Sequence, residues 1–143
     1  MDVIVRILQL ANAHSRFYLR IDNPPYLPLV IEDIGRNGPR GMRCVSVAHY
    51  VETGDVLRCR PEMLFEVRQR NFSLSLSPFY FRDDENIEEG YSVFWTGRIL
   101  VVDGELLKEH ERQAEEWNRL LEKRNFEAAF RKKHVFRKES SKR

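Results

Sequence analysis

The chain has little cysteine. Cys44 and Cys59 are the only two in 143 residues. A small secreted scaffold stapled by disulfides carries more, in even number, so stability has to come from a packed core. Long apolar runs are missing as well. No stretch approaches the roughly 18 apolar residues of a membrane helix. The first ten residues, Met-Asp-Val-Ile-Val-Arg-Ile-Leu-Gln-Leu, lack the apolar core and small-residue cleavage site of a signal peptide. These absences together set a reducing cytoplasm as the expected location, with no membrane partner. Catalytic signatures are absent too. There is no C-x-x-C, no G-x-x-x-x-G-K-[ST], no G-x-G-x-x-G and no G-x-S-x-G. The four histidines are scattered at 14, 49, 110 and 134, and no pair of them has helix spacing with an acid. No metal site and no cofactor is expected from such a pattern.

What is present suits one globular domain. The length is common for a single domain, and 42% hydrophobic residues can build its core. Net charge is +2, but it is unevenly placed. Residues 131–143 hold seven Lys/Arg and one Glu, so residues 1–130 are net −4. Five acids, Asp83, Asp84, Glu85, Glu88 and Glu89, cluster in one predicted loop. Asymmetry of this kind belongs either to a tail that seeks nucleic acid or to a solvated end that folds onto nothing.

Hydrophobic spacing gives the elements. Val3, Ile4, Ile7, Leu8, Leu10 and Ala11 predict a short amphipathic helix. Residues 16–22 alternate, with Phe17, Leu19 and Ile21 on one side, which predicts a half-buried strand. Asn23-Pro24-Pro25 predicts a turn, because proline fixes φ and restricts its predecessor. Strands are expected at 27–34 and 42–51, joined by a Gly/Pro loop over 35–41. After a turn at Thr53-Gly54-Asp55, brief pairing over 56–59 precedes a strand at 62–69. There Met63, Phe65 and Val67 oppose Glu62, Leu64, Glu66 and Arg68. Arg70-Asn71 turns the chain into a strand at 72–81. Residues 91–102 read as a last hairpin. Beyond Asp103, a plausible N-cap, the period changes. Leu107, His110, Ala114, Trp117, Leu121 and Ala128 form one stripe. Phe126, Phe130 and His134 extend it at i, i+4 spacing. The expected fold is α+β: a mostly antiparallel sheet of about five to seven strands, a short N-terminal helix and a long C-terminal helix packed on the sheet. The domain is drawn at 1–130, followed by a basic tail.

Residues 27–67 contain Leu-Val-Ile-Glu, then Ser-Val-Ala-His-Tyr at 46–50, then Gly54-Asp55, then Pro61-Glu62-Met63. This order resembles an uncharacterised bacterial domain family often seen on plasmids and phages. The resemblance implies a mobile-element context and supplies no reaction. It also extends to the closing helix with its Trp.

Within that block His49, Tyr50, Asp55 and Glu62 are the candidate site residues. A histidine beside carboxylates is the raw material of general-base catalysis. The plainer reading follows from strand parity. His49 shares a face with Val45 and Val47, so it is expected as a neutral core imidazole bonded to a neighbour. Asp55 and Glu62 are expected to hold an arginine such as Arg58 or Arg60. Cys44 has the opposite parity to His49, which argues against a Cys/His pair, and both cysteines are expected free. Phe79, Tyr80, Phe81, Tyr91, Phe94 and Trp95 read first as sheet core under Trp117 and second as a recognition surface.

Three functions compete. The first is a non-enzymatic accessory protein of a mobile element that binds a protein partner, with Asp83, Asp84, Glu85, Glu88 and Glu89 as its surface. An inhibitor of host defence, of anti-CRISPR or antirestriction type, is one form of this. The second is a nucleic-acid-binding module using Arg131, Lys132, Lys133, Arg137, Lys138, Lys142 and Arg143. The third is a small hydrolase or nuclease centred on His49.

Overall fold

A computed structural model describes residues 1–13 and 16–141, with side chains described through Lys133. Helix α1 (Asp2–Ala11) opens the chain. Six strands follow: β1 (Tyr18–Ile21), β2 (Leu29–Asn37), β3 (Arg43–Thr53), β4 (Val56–Arg70), β5 (Ser73–Asp83) and β6 (Glu88–Tyr91). They pair antiparallel in chain order, β1 to β6, as one meander. Strands β7 (Val93–Thr96) and β8 (Ile99–Val102) form a separate hairpin. Helices α2 (Gly104–Lys123) and α3 (Phe126–Ser141) close the fold. This is the α+β architecture that the hydrophobic spacing predicts.

The helices cover one sheet face. Ile4 and Ile7 of α1, Trp117 and Leu121 of α2 and Phe126 and Phe130 of α3 pack against Ile31, Val45, Met63 and Phe81. Asp103 caps α2, its side chain accepting from Leu106 N, which removes one unpaired N–H of the first turn. Asn118 Oδ1 accepts from Val3 N at 2.9 Å and so ties α1 to α2.

A second, smaller cluster lies on the other face. Cys44, Leu64, Phe79 and Tyr80 pack there against Val93 of β7. Two bulges decide which residues reach it. Tyr50 pairs with Cys59 and Ala48 with Glu62, so Arg60 and Pro61 stand against the single residue His49. Proline has no N–H for the ladder and suits such a bulge. Leu64 pairs with Tyr80 and Phe65 with Pro78, which leaves Phe79 as the extra residue. A bulge bends the strand and re-aims its side chains.

Several expectations need correction. The closing helix is two helices, broken where Asn125 takes a left-handed φ of 58°. The boundary drawn at 130/131 falls inside α3, whose backbone runs through the basic residues to Ser141. Residues 56–59 belong to one continuous β4. Strand β6 has no alternating apolar pattern to announce it. Of the aromatic group, only Phe81 joins the Trp117 cluster; Phe79 and Tyr80 lie on the opposite face, and Tyr91 and Trp95 are 46% and 56% exposed.

Candidate functional site

The sheet face turned away from the main core carries two polar rows. Tyr18, Glu32, Ser46, Leu64, Tyr80 and Tyr91 are successive register partners across β1 to β6. Arg20, Val30, Ala48, Glu62, Arg82 and Glu89 form the next row. Partners in a ladder point to the same face, so these residues share one surface.

Glu62 is the centre of it. Ser46 Oγ donates to Glu62 Oε2 at 3.0 Å, and Tyr50 OH donates to the same oxygen at 3.1 Å. Burial pushes the Tyr50 hydroxyl up, and the Glu62 charge adds to that, so it stays protonated as a donor. The second carboxylate oxygen, Oε1, has no hydrogen-bond partner among the described residues. Glu62 lines a cleft of about 370 Å³ with Ile34, Arg36, Leu64, Tyr80 and Tyr91. Tyr80 and Tyr91 stack at 4.5 Å between ring centroids, tilted by 43°. Tyr80 OH donates to Glu89 Oε1 at 2.7 Å, and burial followed by that bond raises its pKa. The cleft thus combines one positioned carboxylate, two apolar side chains, an aromatic pair and Arg36.

The four motif residues do not converge. Tyr50 and Glu62 meet on this face. His49 lies on the other, buried with ring centroids 5.4 Å from Trp117 and 5.6 Å from Phe126. Its Nδ1 is 3.2 Å from Pro28 O. Burial lowers its pKa, with the Arg124 charge adding to the effect, so the ring is neutral. That matches the parity reading. Asp55 sits at the turn between β3 and β4. Among the described residues neither Asp55 nor Glu62 holds an arginine: Arg60 pairs instead with Glu85. This follows from the Arg60-Pro61 bulge, which separates that side chain from Glu62.

The cysteines are free and stand on different rungs, Cys44 across from Glu66 and Cys59 across from Tyr50. Burial pushes their thiols up to about 12 and about 11. High thiol pKa values mean little thiolate at neutral pH, so neither is a ready nucleophile. Among the described residues no group of three or more His, Cys, Asp or Glu is placed to hold a metal ion.

The acidic hairpin is less bare than its composition suggests. Asp84 accepts from Cys59 N and pairs with Arg82. Asp83 accepts from Glu85 N and Asn86, Glu85 pairs with Arg60, and Glu88 accepts from Gln113. Glu89 is the one that reaches the cleft, through Tyr80.

Of the basic residues, Arg131 pairs with Glu127 at 3.7 Å, and Lys133 Nζ donates to Arg20 O. Lys132 has no ion pair among the described residues. Arg137 and Lys138 lie on the α3 backbone, with side chains outside the described set. Lys142 and Arg143 lie outside the described residues altogether, as does His14.

Sequence reasoning missed Ser46, Tyr80, Tyr91, Ile34 and Arg36 as companions of Glu62. The signal was partly available. Ser46 and Glu62 each oppose core residues by parity, but their adjacency depends on strand order and on two bulges. Among the described residues no helix is long and apolar enough to cross a membrane. No curated protein matches the chain. No solved structure matches it either. Residues 2–127 match the model of a family described as Domain of unknown function (DUF6908), and the chain belongs to that family.

Proposed function

We propose that the protein is a non-enzymatic accessory protein that binds a protein partner on the open face of its sheet, with the Glu62 cleft taking a cationic side chain. The observation behind this is the state of Glu62. Two donors fix one of its oxygens and leave the other without a partner, beside aromatic rings. A lysine or arginine placed there gains a charge-assisted hydrogen bond and ring contacts together. The body of the chain is net −4, which favours a basic partner. The His49-centred hydrolase loses its support, since the imidazole is buried and its carboxylates are elsewhere.

The test uses N-acetyl-arginine-methylamide and an arginine-rich hexapeptide, titrated while amide NMR signals are followed. Shifts at Glu62, Leu64, Tyr80 and Tyr91 are expected. Glu62→Gln keeps the shape and removes the charge. It should weaken binding by roughly tenfold or more, as for loss of a hydrogen bond to a charged group. Equal affinity in the variant, or shifts elsewhere only, would overturn the proposal.

A further inference from the structure

We infer that α3 and the groove beside it form a second, independent site that binds the phosphate backbone of nucleic acid. The groove, about 1030 Å³, lies between the turn after β1 and the first turns of α3. Pro24, Ala128 and Ala129 line it with short side chains. Arg131, Lys132 and Lys133 line it as well. Asp22, the one carboxylate among the described residues that line it, is already paired with Arg20 at 3.1 Å. Glu127 of α3 is engaged by Arg6 as well as Arg131. The groove is therefore left with net positive charge.

The cations are held on a frame. Phe126 and Phe130 of α3 are buried in the main core. Asn23 Nδ2 donates to Arg124 O at 2.7 Å, and the Arg124 guanidinium lies 4.6 Å from the centre of the Tyr26 ring. Lys133 ties α3 to β1 through Arg20 O. A docked helix that brings Arg131, Lys132 and Lys133 to one groove gathers positive charge there, which suits a chain of phosphates. Ala128 and Ala129 line the groove, and Phe126 and Phe130 are buried in the core. Among the described residues no large apolar side chain of α3 is offered there to a bilayer, so an anionic membrane is the weaker fit.

Fluorescence anisotropy with the full chain decides it, using a labelled 20-nucleotide single strand and a 20-base-pair duplex of mixed sequence. Binding of either is expected, with affinity falling steeply as salt rises. Lys132 makes no hydrogen bond or ion pair among the described residues, so Lys132→Glu should leave the melting temperature unchanged while weakening binding several-fold. Lys132→Gln should lower the salt slope by about 1. Phosphatidylserine vesicles serve as the competing probe. No binding of either oligonucleotide, binding that ignores salt, or binding to vesicles alone would each overturn the inference. Glu62→Gln should leave oligonucleotide affinity unchanged, so this test stands or falls apart from the cationic cleft.

Discussion

Glu66 shows how one buried group can dictate its neighbours. It is fully buried on β4, and its Oε2 accepts from Arg40 N at 3.0 Å and Met42 N at 3.1 Å. The carboxylate thus closes the loop between β2 and β3 from beneath. Trp95 Nε1 donates to Pro39 O at 2.6 Å and holds the same loop from the β7–β8 hairpin. Gly38 passes so close that an added Cβ would sit 2.3 Å from Glu66 Cγ. The carboxylate cannot retreat without dropping two backbone donors. Gly38→Ala should therefore cost about 1–3 kcal/mol, the usual range for overpacking. Glu66→Ala should also destabilise, since it leaves two N–H groups unpaired. The double variant should cost clearly less than the two together, because the clash disappears with the side chain. Urea unfolding of the four proteins checks this, and simple additivity would show that the contact is not the cause.

Among elements, the junction of α2 and α3 carries the most consequence. Asn125 adopts φ 58°, where asparagine is tolerated and a β-branched residue is strained. Asn125→Gly should be near neutral, and Asn125→Val should cost about 1–3 kcal/mol, as for a residue forced into a sparsely populated region. The break turns Phe126 inward, where it meets His49 and Tyr26. Phe126→Ala should cost about 3–5 kcal/mol in denaturant unfolding. A smaller cost than for an exposed Leu10→Ala would mean that α3 is not truly docked. The same region shows what spacing can and cannot reveal. The α2 stripe of His110, Ala114, Trp117 and Leu121 was legible because burial on one helix face repeats every three or four residues. The break at Asn125 was not, since Ala128 falls on the same stripe by chance of period. In the sheet, the faces of Met63 and Phe65 against Glu62 and Leu64 were legible from alternation alone. Strand β6 was hidden because Glu88-Glu89-Gly90-Tyr91 has no apolar face, and it is recognised only by pairing with β5. The cleft was hidden for a related reason. Ser46, Glu62 and Tyr80 come from three strands, and the Pro61 and Phe79 bulges set their register.

At the scale of the molecule, two buried histidines make stability depend on pH in a window where few other groups titrate. His49 sits among Trp117, Phe126 and Pro28 O, and the Arg124 charge also disfavours its protonation. His110 Nδ1 lies 2.8 Å from Ser92 Oγ, with Glu109 and Asp103 partly offsetting the effect of burial. Burial lowers both pKa values in the fold, while the unfolded chain keeps the ordinary value near 6.5. Above about pH 6.5 neither state carries the protons, so the full stability is present. As the pH falls below that value the unfolded chain takes up protons and the fold does not. Stability is then lost progressively until the folded pKa values are reached. The loss is at most about 1.4 kcal/mol per pH unit for each histidine. Carboxylates titrate near pH 4, so the range from about pH 6.5 to about pH 5 isolates the imidazoles. Urea midpoints measured at about pH 7.5 and about pH 5.5 should differ, the acidic one being lower. His49→Leu should remove part of that difference whatever it does to stability at neutral pH. Identical wild-type midpoints would mean that the imidazoles take up protons as readily in the fold as in the open chain, and the aromatic enclosure of His49 would then have to open without cost.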